Sequence, residues 1–171
     1  SYLLLQKYKG DEKYMINLYA ETDMNEKVMI RIAELPDVKT CFKFHKAIYK
    51  YHQDNVDFKL EDEGNLLKAI ENYIKTGRTK TIIASTKMGS LKEDVGMIEI
   101  RTPTTAYITA LWIEDNARNK GIASILLSSA EAIAKKDGAN FISLDVFDFN
   151  RGAVSLYLRM GYKCKSHDKT Y

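Results

Sequence analysis

The stretch Arg118-Asn119-Lys120-Gly121-Ile122-Ala123-Ser124 constrains the fold of this chain more than any other. A run of β-capable residues, Tyr107 to Ile113, precedes it and a strongly helical run, Ile122 to Lys136, follows, so it sits where a strand gives way to a helix. In that helix Ile122, Ile125, Leu126, Ala130 and Ile133 recur every three or four residues. Lys135 and Lys136 stand at the negative end of its dipole, and Gly138 stands where a left-handed cap belongs. Phe141 to Phe147 is a further strand. Strand, helix and strand in succession make a crossover, so Thr105–Ile113 and Phe141–Phe147 are expected as parallel neighbours with a right-handed connection.

Such a turn is also a place to hold phosphate. The first backbone N–H groups of a helix have no intrahelical acceptor, and the macrodipole adds partial positive charge there. Gly121 lets the backbone approach an oxyanion, Ala123 and Ser124 keep that approach uncluttered, and Arg118 and Lys120 supply charge at the rim. Any strand-to-helix turn can carry a Gly and a Lys, so the turn by itself leaves a purely structural role open. A nucleotide-phosphate domain of the P-loop kind is disfavoured, because the G-x-x-x-x-G-K-[ST] order is missing and the Lys precedes the Gly.

The rest of the chain supplies the frame. Two apolar runs, Tyr2 to Leu5 and Tyr14 to Ala20, flank a polar turn at 9–13 and read as a hairpin. Val28 to Ile32 is a short strand. Leu35-Pro36-Asp37 opens a helix that reaches about Gln53 and is rich in aromatic residues. A second helix runs from Glu63 to Thr76, with Gly77 as its stop. Lys80–Thr86 and Val95–Arg101 are strands joined by a polar loop at 87–94, and Thr105–Ile113 completes an antiparallel meander. Asn150 caps a final helix ending at Gly161, and Tyr162 to Tyr171 is a last strand or tail.

With 171 residues, 45% of them hydrophobic, the chain can bury one sizeable core and predicts one domain. A net charge of +3 without a dense Lys/Arg block does not imply nucleic acid, though it suits a polyanionic cofactor. Two cysteines outside any C-x-x-C pair argue against a disulfide scaffold or zinc ribbon, and no apolar run is long enough for a bilayer. We therefore expect a cytoplasmic protein. Three histidines without close ligand spacing imply no metal site.

Arg118-x-x-Gly121-x-Ala123 resembles the acyl-CoA signature (Gln/Arg)-x-x-Gly-x-(Gly/Ala) of the GCN5-related N-acetyltransferase (GNAT) family. Asn150-x-x-Ala153-x-x-x-Tyr157-x-x-x-Gly161-Tyr162 is similar to that family's second signature, at the expected distance downstream. The two motifs cover roughly residues 106 to 162. The resemblance implies an α/β (α+β) fold with a mixed, mostly antiparallel sheet, a splayed parallel strand pair, and helices on both faces. It places the family domain over 28–171, with 1–27 as an extension packing on it. Since the family usually continues into a further strand, the short C-terminus leaves open what fills that place: the extension, a partner subunit, or nothing.

The resemblance also implies a function, acetyl transfer from acetyl-CoA to a primary amine by direct attack. The backbone from Asn119 to Ser124, including Lys120, Gly121, Ile122 and Ala123, would grip the diphosphate of coenzyme A, with Arg118 beside it. Main-chain groups of Leu111 and Ile113 would pair with the pantetheine arm, one N–H polarising the thioester carbonyl. Asn150 would also contact that arm. Tyr157 would be the general acid for the departing thiolate, although a plain core role stays open for it.

The base is not assigned. Several relatives have a glutamate where this chain has Tyr107, so Glu99 and Glu114 are only substitutes of convenience, each reading rather as a solvated strand-end charge; a water relay, or an acceptor of lower pKa, would remove the need for either. An acyl-CoA-binding or sensing module without turnover is the alternative. The acceptor is a small-molecule or peptide amine, and the family together with an unpaired sheet edge implies a homodimer.

Overall fold

Strand periodicity, helix caps and the crossover rule generate most of the observed elements. A computed structural model describes residues 2–8, 19–21, 27–56, 62–102 and 105–168. In chain order these form β1 (Tyr2–Tyr8), β2 (Tyr19–Glu21), β3 (Lys27–Ile32), α1 (Val38–Asn55), α2 (Glu63–Thr76), β4 (Thr79–Met88), β5 (Leu91–Arg101) and β6 (Ala106–Ile113). Then follow α3 (Ile122–Lys136), β7 (Phe141–Phe147), α4 (Arg151–Arg159) and β8 (Lys163–Asp168). The strands make one eight-stranded sheet in the order β2-β3-β4-β5-β6-β7-β1-β8. Every pairing is antiparallel except β6 with β7. The expected mixed sheet with one parallel pair is therefore present.

Each strand sends alternate side chains to opposite faces, and helices cover both. On one face Ile98, Ile100, Ile108 and Leu144 pack with Ile122, Leu126 and Leu127 of α3 and with Tyr157 of α4. On the other, Ala33 and Ile83 pack with Cys41 of α1 and with Leu66 and Ile70 of α2.

Two features of β6 open the sheet. Its parallel pairing with β7 covers only Ala106–Ile108 against Ile142–Leu144, after which the strands part. Against β5 the register shifts, with Glu99 opposite Ala110 and Ile100 opposite Ile108, which leaves Thr109 as the extra residue of a β-bulge. Gly96 of β5 keeps the other side of β6 close. A Cβ there would fall 2.6 Å from the Trp112 carbonyl oxygen and 2.7 Å from Ile113 Cδ1.

The expected N-terminal hairpin is not formed. β1 lies between β7 and β8, while β2 pairs with β3 at the far end of the sheet; residues 14–18 fall outside the described residues. The alternation of β1 explains its place. Leu5 is fully buried in the α3-side core, Leu3 packs against that core, and the buried Lys7 Nζ donates to Glu131 Oε2 of α3 at 2.8 Å. These inward groups need a strand slot beside β7, which a local hairpin would not give them. β1 therefore occupies the position between β7 and the last strand that the sequence left open. The predicted loop at 87–94 is likewise shorter, because β4 and β5 extend to a two-residue turn at Gly89-Ser90.

Candidate active site

The parting of β6 and β7 makes a cleft of about 400 Å³ that passes through the sheet. On the α3 side it is lined by the turn before α3 and by α4. Gly121 adopts φ 81°, a left-handed conformation that L side chains resist, and Asn119 adopts φ 61°. The first intrahelical bond of α3 runs from Ile125 N–H to Gly121 O, so the amides of Ile122, Ala123 and Ser124 precede any intrahelical acceptor. Among the described residues no side chain caps this helix end. Successive left-handed and helical residues in such a turn form an anion-accepting concavity. By contrast, α4 is capped at the cleft by Asn150, whose Oδ1 accepts from Ala153 N–H at 3.3 Å.

Of the residues singled out from sequence, Leu111, Ile113, Arg118, Asn119, Gly121, Ile122, Ala123, Ser124, Asn150 and Tyr157 all line this one cleft. Lys120 does not. Arg118 is committed largely to its own turn. Its Nε donates to the Ile113 carbonyl at 3.0 Å, it pairs with Asp115 at 3.0 Å, and its guanidinium lies 4.9 Å from the centre of the Trp112 ring. The Ile113 carbonyl is thus already engaged by the protein. Trp112 also lines the cleft, and its indole N–H is buried without a partner among the described residues, an opening for a ligand acceptor.

Tyr157 packs its ring 5.7 Å from that of Tyr162 and lines the cleft. Burial pushes its phenol well above the ordinary range, so it stays protonated at neutral pH. A neutral O–H in a cleft is a proton donor.

Asp145, which sequence reasoning missed, lines the cleft from β7. Tyr107, standing where several relatives carry glutamate, donates its hydroxyl to Asp145 Oδ2. Burial and then this bond to a carboxylate push the Tyr107 phenol up, so it holds its proton and remains a donor. A carboxylate of β7 thus stands beside the Tyr107 hydroxyl of β6. One signal was available, a lone acid within the otherwise uncharged strand Phe-Ile-Ser-Leu-Asp-Val-Phe.

Glu99 is not a solvated strand-end charge. It is 5% exposed in the middle of β5, with Oε2 at 2.8 Å from His45 Nε2 and Oε1 accepting from Thr109 Oγ1 at 2.7 Å. Burial alone would push its carboxyl up, but the bond and charge of His45 and the bond from Thr109 bring it net below the ordinary range. It faces a second cavity of about 250 Å³ beneath α1 and α2, which Thr109 also borders. Glu114 is half-buried and pairs with Lys43 at 3.3 Å.

Residues 43–162 match the model of the family described as "Acetyltransferase (GNAT) family". The chain is a GNAT protein. Among curated GNAT relatives, "GCN5-related N-acetyltransferase 4, chloroplastic" of Arabidopsis thaliana is 37% identical over 68 residues, 40% of this chain and 23% of that protein. The match thus spans about a quarter of that relative's length. A mutant of the BH1408 protein from Bacillus halodurans superposes with a TM-score of 0.71 at 20% identity, over 84% of this chain and 98% of that one. A predicted acetyltransferase with acetyl-CoA from Clostridium acetobutylicum gives a TM-score of 0.65 at 18% identity, over 84% and 94%. At these identities the two structures establish the shared GNAT fold. Among the described residues no helix is long and apolar enough to cross a membrane.

Proposed function

We propose that this protein transfers an acetyl group from acetyl-CoA to a primary amine by direct attack. One observation carries the reading: the left-handed turn at Gly121, with no side-chain cap among the described residues, and Tyr157 open onto the same cleft, on the α3 side of the splayed strands. Family membership supports it, as does the similarity of fold to a protein described with acetyl-CoA.

The chain's own groups divide the work. Amides of Ile122, Ala123 and Ser124 hold the diphosphate, and Asn150 and the main chain of Leu111 line the path of the thiol-bearing arm. A main-chain N–H of β6 polarises the thioester carbonyl. Acetyl-CoA supplies the activated acyl group. The acceptor nitrogen bonds to the carbonyl carbon as the C–S bond breaks. Tyr157 gives its proton to the departing sulfur, and Asp145, steadied by Tyr107, takes the proton lost from the amine. Tyr157 then recovers a proton from solvent and Asp145 releases the one it took, so the protein emerges unchanged.

The alternative, a binding or sensing module without turnover, drew on a missing carboxylate and a short C-terminus. Asp145 in the cleft and β1 between β7 and β8 weaken both grounds. The test is thiol release from acetyl-CoA with a panel of amines, run on wild type and Tyr157→Phe. The variant should bind acetyl-CoA as wild type does and turn over about 10²- to 10⁴-fold more slowly. Unchanged turnover removes Tyr157 from the mechanism. Cofactor binding without thiol release for any amine supports the sensor.

A further inference from the structure

The α3 side of the cleft is polar and built of backbone; the α1 side is aromatic. Tyr51 and His52, near the end of α1, line the cleft with Trp112 of β6 and Phe147 of β7. The rings form a continuous wall. His52 meets Phe147 edge-on at 4.8 Å, Phe147 stacks on Phe149 at 5.0 Å, and Tyr51 lies 5.8 Å from Phe149 and 6.4 Å from Trp112. β1 closes the wall with Tyr2, 4.5 Å from Phe147. Asp145 stands two residues before Phe147 on the same face of β7, about 7 Å away along the strand.

Charge narrows the choice of ligand further. Among the described residues that line the cleft, Asp145 is the one acid, while Arg118 and Arg159 are cationic. Burial pushes the His52 imidazole down, which keeps it uncharged at neutral pH. A polyamine or an amino sugar with several ammonium groups would find a single carboxylate and leave its other charges against rings or arginines. One ammonium on a flat apolar body meets both halves of the site: Asp145 for the charge, the rings for the body.

Resting on the transferase reading above, we infer that the acceptor is a monoamine whose nitrogen sits on a short chain from an aromatic or similarly flat apolar group. Asp145 orients the ammonium, and the wall selects the body. Part of that wall comes from the N-terminal strand.

The experiment separates the two claims. Calorimetry on the full chain saturated with CoA compares phenethylamine, n-butylamine and spermidine, while thiol release from acetyl-CoA is followed in parallel. Phenethylamine should bind at least about tenfold more tightly than either of the others, the gain expected for burying one ring. Tyr51→Ala should shrink the phenethylamine-to-butylamine ratio by at least about threefold, a change that general loosening of the protein would not produce. Spermidine binding as tightly as phenethylamine, or a ratio unmoved in Tyr51→Ala, overturns this inference and leaves acetyl transfer standing. Preferential binding of phenethylamine without thiol release sinks acetyl transfer and leaves the aromatic preference intact.

Discussion

Lys7 and Glu131 are each about 1% exposed at their side chains, and their 2.8 Å ion pair ties β1 to α3 across the core. The Lys7 ammonium also lies 5.5 Å from the centre of the Tyr162 ring, and the Tyr162 hydroxyl donates to Glu131 Oε1 at 3.5 Å. Lys7→Met keeps the length and apolar stem but takes the Lys7 ammonium away from the buried Glu131 carboxylate. Breaking such a pair costs about 3–5 kcal/mol. For a domain of this size that corresponds to a fall in Tm of about 6–20 °C. Lys7→Met with Glu131→Gln removes that carboxylate's charge yet keeps an acceptor for Tyr162, so it should recover at least about 2 kcal/mol. Urea unfolding of the wild type, both single variants and the double variant gives the coupling directly. If Lys7→Met lies within about 1 kcal/mol of wild type, or the double variant is no more stable than Lys7→Met, then β1 is not held by this pair. Its placement between β7 and β8 would then need another cause.

Three further outcomes follow from the geometry. Gly96→Ala would press a methyl group onto the Trp112 carbonyl and the Ile113 side chain, displacing β6; it should cost about 1–3 kcal/mol in urea unfolding and weaken acetyl-CoA binding in calorimetry. Gly121→Ala meets no atom within 4 Å, so its penalty is conformational, about 1–2 kcal/mol, and should appear in cofactor affinity more than in clash-driven unfolding. The Glu99 carboxyl, held below its ordinary value of 4.5 in the folded state, contributes stability that is present above that value and lost as pH falls through its folded value. Stability curves measured across acid pH should therefore fall less steeply below 4.5 for Glu99→Gln than for wild type, and parallel curves would contradict the assignment.

The crossover from β6 through α3 to β7 was legible because periodicity, capping and chirality are local rules. Gly121 announced a turn open to close backbone approach, and Asn150 announced its cap. The splay and bulge of β6 came only with the family resemblance, and no residue in Tyr107–Ile113 marks Thr109 as the extra one. Glu99 was misread for a related reason. A carboxylate in a strand looks solvated until its partners arrive, and His45 lies 54 positions away in the chain.

What the sequence determined by itself was therefore the strand-to-helix turn at Gly121, the helices and the order of the meander, all set within a dozen residues of chain. Tertiary structure alone decided that β1 would lie between β7 and β8, that Asp145 would meet the Tyr107 hydroxyl, and that rings from three strands and one helix would line one mouth of the cleft. Those outcomes depend on buried charge finding a partner and apolar surface finding cover, and both are satisfied by neighbours in space rather than in sequence.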